Sequence, residues 1–165
     1  MDWQFGRCFS QTLPGATCMI IISPYAKPLP NGGANPKNYP HWPQLLDMIP
    51  DVVLQVGKKG EIPLVENCMW DLPLESLRKL IQDCTTWISC DSMFQHLAWQ
   101  VGKRGIVLWG QSDPLIFGHP ENINLLKGRE YLYGNQFLSW DLIPMRHDCW
   151  VEPKQIITAL EEFYR

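Results

Sequence analysis

The sequence has no long apolar run, no export signal and no cluster of basic residues. No apolar run approaches the roughly 20 residues that a membrane-spanning helix needs, and the first residues lack the basic and apolar regions of a signal peptide. The formal net charge of -3 argues against an electrostatic nucleic-acid surface. These absences predict a cytoplasmic protein that binds neither membranes nor nucleic acid, and they favour a small-molecule ligand.

The six cysteines form no C-x-x-C pair. They are spread over a medium-sized chain without an export signal, and this distribution predicts free thiols rather than a disulfide framework. A zinc site is a second interpretation, although the spacings match no standard ligand pattern. Its candidate ligands are Cys84, Cys90, His96, His147 and Cys149. On balance the sequence predicts neither a metal nor a cofactor.

Motifs for several kinds of catalysis are also absent. The G-x-x-x-x-G-K-[ST] spacing of a P-loop does not occur. No Ser/His/Asp triad, carboxylate acid/base pair or metal-binding motif is visible. The sequence therefore assigns no catalytic residue and leaves open whether the protein is an enzyme.

What the sequence does contain is an alternation of short apolar strands and amphipathic helices. Its 165 residues predict one domain over residues 1–165, which begins with an extended arm at residues 1–17. The apolar run at 18–23 does not alternate, as expected for a central strand buried on both faces of a parallel sheet. Further strands are predicted at 52–56, 87–89, 106–109 and 123–126, and helices at 42–49, 71–84, 92–101 and 153–164. The pattern predicts an α/β fold, a three-layer Rossmann-like parallel sheet with helices on both faces.

One strand runs through a short polar turn directly into a helix. The turn is Asp91-Ser92, and the helix that follows would leave the backbone N–H groups of Ser92, Met93 and Phe94 without helical partners. Such groups bind phosphate, and the crevice beyond the strand ends is the usual ligand site of an open α/β sheet. The turn therefore predicts an anion-binding site.

The same turn carries a family resemblance. Asp91, Ser92, His96, Leu97 and Ala98 match the motif Asp-Ser/Thr-Gly-x-x-His-Leu-Ala, with Met93 in place of the glycine. This motif resembles that of the lipopolysaccharide heptosyltransferases, which are glycosyltransferases of the GT-B fold, and in particular their C-terminal, nucleotide-sugar-binding half. The resemblance extends in unbroken order over about residues 18–163. Because a GT-B transferase has two Rossmann-like halves, the chain is expected to be one of them.

The resemblance also implies roles for residues in the other loops. Lys37, in a Lys-Asn-Tyr-Pro element, would contact phosphate, whereas without the resemblance it is a solvated loop lysine. Glu61, after Gly57, would accept hydrogen bonds from ribose hydroxyls. The pair Ser112 and Asp113 lies in a loop similar to the family's Gly-x-Thr-Asp-Pro loop.

Two residues of the motif have alternative roles. Asp91 would cap the helix and orient Ser92, or would accept a sugar hydroxyl. His96 would hydrogen-bond a phosphate or brace the Asp91 turn. The nucleobase of the bound nucleotide would lie on an apolar wall formed by Leu72, Pro73 or Trp70.

These expectations lead to three functional hypotheses. The first is a stand-alone donor-site domain that binds a nucleoside-diphosphate sugar or an ADP-ribose-like nucleotide and sequesters a signalling nucleotide. The second is a minimal glycosyltransferase whose acceptor site comes from a dimer mate, a separate subunit or the arm over residues 1–17. The third is a nucleotide-sugar hydrolase in which Asp91, Asp113 or His96 activates water. The exposed crevice and eight tryptophans also predict a homodimer.

Overall fold

The computed structural model describes residues 18–137 and 139–164, and within them it forms a parallel six-stranded sheet flanked by helices. The predicted arm at residues 1–17 lies outside the described residues. The α/β class and the parallel sheet are confirmed. In chain order the main elements are β1 (Met19–Ser23), α1 (Trp42–Leu46), β2 (Val52–Gly57), β3 (Cys68–Trp70), α2 (Leu74–Asp83), β4 (Thr86–Cys90), α3 (Met93–Gln100), β5 (Ile106–Trp109), α4 (Pro114–Phe117), β6 (Ile123–Leu126) and α5 (Pro153–Leu160).

The strands are mostly apolar because helices cover both faces of the sheet. Ile20 and Ile22 of β1 belong to one core cluster, which α1 and α5 help to form. Ile21, between them in sequence, points to the opposite cluster, which includes residues of α2 and α3. All three isoleucines are fully buried. This alternation of side chains across a doubly covered sheet produces the predicted three layers.

The strand order is β3-β2-β1-β4-β5-β6, and every neighbouring pair is parallel. Strands β2 and β3 follow β1 on one side of the sheet, whereas β4, β5 and β6 follow on the other side. The order therefore reverses between β1 and β4. In such sheets the loops at this point diverge to opposite faces and leave a crevice at the carboxyl ends of the strands.

The structure corrects several predicted boundaries. Helix α2 begins at Leu74 after Pro73 and not after Asp71, whose φ of 50° is outside the helical region. The C-terminal helix ends at Leu160 and continues as a 3₁₀ turn, Glu161–Phe163. The edge strand β3 was not predicted, because its three residues are too few to show a period.

The cysteine prediction is partly wrong. Cys68, Cys84, Cys90 and Cys149 are free thiols, as expected, but Cys18 is disulfide-bonded. Burial raises the pKa of Cys90 to about 12, so this thiol is protonated and unreactive at neutral pH.

Neither a metal-binding cluster nor a membrane-spanning helix occurs in the described part of the chain. There, the structure contains no group of three or more His, Cys, Asp or Glu side chains arranged to hold a metal ion, so it does not gather the candidate zinc ligands. None of the helices at 18–137 and 139–164 is long and apolar enough to cross a membrane.

Candidate functional site

A cavity of about 920 Å³ opens at the carboxyl edge of the sheet, at the reversal point between β1 and β4. Its walls are the loop after β1, the end of β2 with the turn that follows, the start of α2 and the first turn of α3, and it is completed by Phe117 and Trp140. The volume is that of a site for a large organic ligand. Most of the predicted site residues line it: Lys37, Gly57, Glu61, Asp91, Ser92, Met93, Phe94 and His96.

Helix α3 begins at the cavity wall, and its N-cap is Ser92 rather than Asp91. Ser92 has extended backbone angles, and its Oγ accepts a hydrogen bond from the backbone N–H of Phe94 at 3.4 Å. The ring of Phe94 turns inward and contacts Trp87 edge-on. The backbone of this first turn therefore faces the cavity, with the positive end of the helix dipole directed toward it.

Asp91 is freed from capping and forms a buried ion pair instead. Its Oδ2 lies 2.6 Å from Nζ of Lys37, and its Oδ1 accepts a hydrogen bond of 3.0 Å from Nε2 of Gln95. The side chains of Lys37 and Asp91 are 16% and 6% exposed. The pair joins the long loop after β1 to the start of α3, and because the two charges offset each other, the carboxylate does not repel an anion in the cavity.

Lys37 is also held by aromatic rings and by its own loop. Its Nζ lies 4.2 Å from the ring centroid of Trp140 and 5.6 Å from that of Phe117. The side chain of Asn35 accepts a hydrogen bond from the N–H of Lys37 and donates one to the carbonyl of Lys27. This loop has no regular secondary structure, and asparagine side chains supply the contacts that fix its shape.

Glu61 lies at the other end of the cavity, against the end of β2. A Cβ on Gly57 would overlap the Glu61 carboxylate, so glycine at this position is what allows the carboxylate to approach the strand. Burial raises the pKa of Glu61, and nearby Asp71 adds to the effect. Tyr25 lines the same part of the cavity, and burial together with the charge of Glu61 raises its pKa.

His96 does not brace the Asp91 turn, which corrects one of its two predicted roles. Its Nδ1 lies 2.8 Å from Nε2 of His119, so one ring donates a hydrogen bond to the other. The ring of His119 in turn stacks on Trp99, with 4.4 Å between ring centroids. Burial and the neighbouring His96 both lower the pKa of His119.

Ser112 and Asp113 are not brought to the cavity. Asp113 caps α4 by accepting the N–H of Leu115, and its two carboxylate oxygens accept hydrogen bonds from Arg129 at 3.1 and 2.7 Å. The arginine lowers the pKa of this carboxyl. Ser112 is buried beside it. This loop therefore holds the β5 end of the sheet together, away from the cavity.

One of the three residues predicted for an apolar wall lines the cavity, and other residues of the same region complete that wall. Leu72 lines the cavity, together with Met69, Leu74 and Leu77 from β3 and α2. Pro73 and Trp70 are not among the lining residues.

Sequence reasoning missed Trp140, Asn35, Tyr25 and His119. No local pattern indicated Tyr25, Trp140 or His119, because Tyr25 lies in an irregular loop, Trp140 begins a three-residue 3₁₀ turn and His119 contacts its partner across 23 residues of sequence. For Asn35 a signal existed, since asparagine in a Pro- and Gly-rich loop is typical of side-chain-stabilised turns.

Residues 67–128 match the family model of glycosyltransferase family 9 (heptosyltransferase). The matched segment runs from β3 through β6 and includes the α3 turn. Solved structures extend the similarity to almost the whole chain. The chain resembles one half of a heptosyltransferase.

Three solved structures illustrate this similarity. E. coli ADP-heptose LPS heptosyltransferase II is 17% identical, with a TM-score of 0.62 over 93% of this chain and 48% of that one. E. coli heptosyltransferase WaaC with ADP is 15% identical, with a TM-score of 0.64 over 92% and 46%. Dodecameric iron-containing heptosyltransferase TibC, from enterotoxigenic E. coli, in complex with ADP-D-beta-D-heptose is 13% identical, with a TM-score of 0.65 over 95% and 48%.

These similarities establish the fold, and the chain spans slightly less than half the length of each of the three proteins. No curated protein sequence is significantly similar to the chain.

Proposed function

We propose that the protein binds a nucleoside-diphosphate sugar, or a related ADP-ribose-like nucleotide, in the cavity at the carboxyl ends of the strands. The observation that carries this proposal is that one continuous cavity contains both the first turn of α3, with Lys37 beside it, and the Glu61 carboxylate at the end of β2. Two of the similar proteins were solved with ADP and with ADP-heptose, respectively.

The phosphates would lie at the start of α3. Backbone N–H groups at a helix N-terminus bind phosphate, and the dipole favours negative charge there. Lys37 keeps Asp91 neutralised, and because its ammonium has three N–H donors, it can donate to a bound phosphate while it stays paired with the carboxylate. Met93, which occupies the motif's glycine position, is 59% exposed, so its side chain extends outward from the turn.

The nucleoside would lie toward β2 and β3. Glu61 in its ionised form accepts hydrogen bonds from two vicinal hydroxyls, as acidic residues do with ribose in other Rossmann-like folds. The side chains of Met69, Leu72 and Leu77 supply an apolar surface for the base.

A stand-alone binding domain of this kind would sequester its nucleotide without turning it over. This role is supported by the ion pair of Asp91 and by the arginine contacts of Asp113, because both carboxylates are occupied and neither is free to activate water. His96 is the remaining candidate for the hydrolase hypothesis, and its Nδ1 is engaged by His119.

A second candidate function is sugar transfer with an acceptor site supplied by another chain. This candidate is favoured because the chain matches slightly less than half the length of each similar transferase. The acceptor site would come from a partner subunit or from a second copy of this chain.

The test is a thermal-shift panel of ADP-heptose, ADP-ribose, cyclic ADP-ribose, UDP- and GDP-sugars and free nucleotides. Specific binding raises the melting temperature by mass action. Each stabilising ligand is recovered and examined by mass spectrometry. K37M and E61Q should lose the shift, whereas K154M, an exposed substitution on α5, should keep it.

The outcomes separate the hypotheses. A ligand that stabilises the protein and is recovered intact supports binding, and a ligand recovered cleaved without an acceptor supports hydrolysis. Transfer to an added acceptor or partner supports the second candidate. If no nucleotide stabilises the wild-type protein, the proposed function is wrong and the similarity concerns the fold alone.

A further inference from the structure

A second cavity, of about 470 Å³, adjoins the first. The two share four lining residues, Lys27, Pro28, Asn35 and Trp140. Beyond this shared boundary the second cavity is lined by Leu29 and Pro30 of the β1 loop and by Ser139 and Asp141 on either side of Trp140. The second cavity therefore lies next to the first, with Trp140 on the boundary between them.

The order of features along the two cavities follows the order of groups in a nucleotide sugar. The apolar wall and Glu61 are at the β2 end, the start of α3 is in the middle, and Lys37 and Trp140 come next. A nucleoside-diphosphate sugar has base, ribose, diphosphate and sugar in the same sequence. With the diphosphate at α3, the sugar ring reaches Trp140 and the second cavity.

The lining of the second cavity has the chemistry that a sugar ring requires. An indole ring offers a flat apolar face to the C–H groups of a pyranose, and charged and hydroxyl side chains at its edge hydrogen-bond the hydroxyls. Asp141 accepts a hydrogen bond from the Ser139 hydroxyl and, as a carboxylate with several acceptor positions, can accept others. Lys27 also lines this cavity, and its ammonium can donate hydrogen bonds.

We propose that the second cavity is the subsite for the sugar of the bound nucleotide, and that Trp140 and Asp141 determine which sugar is held. This inference rests on the proposed nucleotide-sugar binding. Both residues lie beyond the segment that matches the heptosyltransferase family model, which ends at residue 128. Sugar choice would therefore depend on a part of the chain that the family model does not describe.

The experiment compares a nucleoside diphosphate with its sugar derivative in the same variants. Calorimetry gives the Kd of ADP and of ADP-heptose, with UDP and UDP-glucose as a second pair. In the wild-type protein we expect the sugar to improve the Kd by about tenfold, which corresponds to about 1.4 kcal/mol. W140A and D141N should reduce that ratio toward one while ADP itself still binds, and W140F should retain most of it.

The control is L142A, because Leu142 is an exposed residue of the same 3₁₀ turn that lines neither cavity. Circular dichroism and melting temperature establish that each variant is folded. If W140A, W140F and D141N all weaken ADP and ADP-heptose by the same factor, these residues act only through Lys37 and the subsite is refuted. A wild-type protein that binds ADP but gains nothing from the sugar refutes the subsite alone. A wild-type protein that binds no nucleoside diphosphate refutes the proposed function itself.

Discussion

The Nζ atom of Lys37 lies 2.6 Å from Oδ2 of Asp91, and both side chains are nearly buried. Lys37 lies in the loop after β1, and Asp91 directly precedes the N-cap of α3. The contact therefore spans the point where the strand order reverses. One ion pair thus joins the long loop to the start of α3 and offsets the Asp91 charge at the site proposed for phosphate.

K37M should destabilise the protein by about 3 kcal/mol, the lower part of the range for breaking a buried ion pair. The physical reason is that Asp91 remains buried without a countercharge. Urea unfolding followed by tryptophan fluorescence gives the free energy of unfolding. K37M/D91N should recover part of the loss, because the double variant contains neither charge.

The matched control is K58M. Lys58 lies 3.7 Å from Asp71, and the two side chains are 75% and 51% exposed, so its loss should change the free energy of unfolding by less than about 1 kcal/mol. Equal effects of K37M and K58M, or strictly additive effects of K37M and D91N, would show that the pair is not coupled.

G57A should move the Glu61 carboxylate away from the end of β2, because the added methyl group would occupy its place. The side chain of Glu61 is flexible, so we expect the fold to survive and the site to change. If ADP is the ligand, its Kd should increase about tenfold or more, as expected for the loss of hydrogen bonds to a charged group. Calorimetry with ADP measures the change.

E61A provides the control for this prediction. In the E61A background the methyl group of G57A has no carboxylate to displace, so the double variant should bind ADP as E61A does. A further loss of affinity in the double variant would mean that the methyl group acts through Trp70, whose ring lies 3.2 Å from the Cβ position.

The stability of the protein should fall as the pH drops below about 6.5, in part because of His119. Burial and the neighbouring His96 lower the pKa of His119 from 6.5. The unfolded chain therefore binds a proton at a higher pH than the folded chain does, and the stabilisation is complete above 6.5 and lost as the pH falls through the lowered pKa. H119Q should flatten this part of the curve of melting temperature against pH.

H147Q is the comparison, since His147 is exposed and lies outside the His96–His119 contact. Its curve should follow that of the wild-type protein. An H119Q curve with the wild-type slope between pH 7 and 5 would show that other groups account for the acid sensitivity.

Much of the fold follows from sequence because each central strand is a short, continuous apolar run next to a helix of clear period. The predicted strands at 18–23, 52–56, 87–89, 106–109 and 123–126 agree with the structure within one residue at each end. Gly102 ends α3 with a positive φ of 72°, the conformation expected of a glycine after a helix. The edge strand β3 escaped prediction because a half-exposed run of three residues has neither burial nor period.

The site was less predictable because its geometry depends on contacts that no local pattern encodes. As predicted, one cavity is lined by the α3 turn, Lys37 and Glu61. The N-cap of α3, however, is Ser92, because Asp91 is engaged by Lys37 and Gln95. Asp113 carries a motif that indicates a ligand contact, but Arg129, 16 residues later, engages both of its oxygens. Long-range partners of charged groups decided these cases.

The mouth of the cavity exposes apolar side chains, and the predicted homodimer would bury them. Met69, Leu74 and Met93 line the cavity and are 41%, 52% and 59% exposed. An exposed apolar face of this kind marks an interaction surface, and a symmetric pair of copies is the commonest way to cover one. Sedimentation should therefore give about twice the 19.1 kDa chain mass. L74D/M93D should give a single chain, whereas L115D should remain a dimer, because Leu115 is an apolar residue that is 80% exposed but does not line the cavity. A wild-type mass of one chain at working concentration would exclude a dimer mate as the source of the acceptor site, and sugar transfer would then require a different partner.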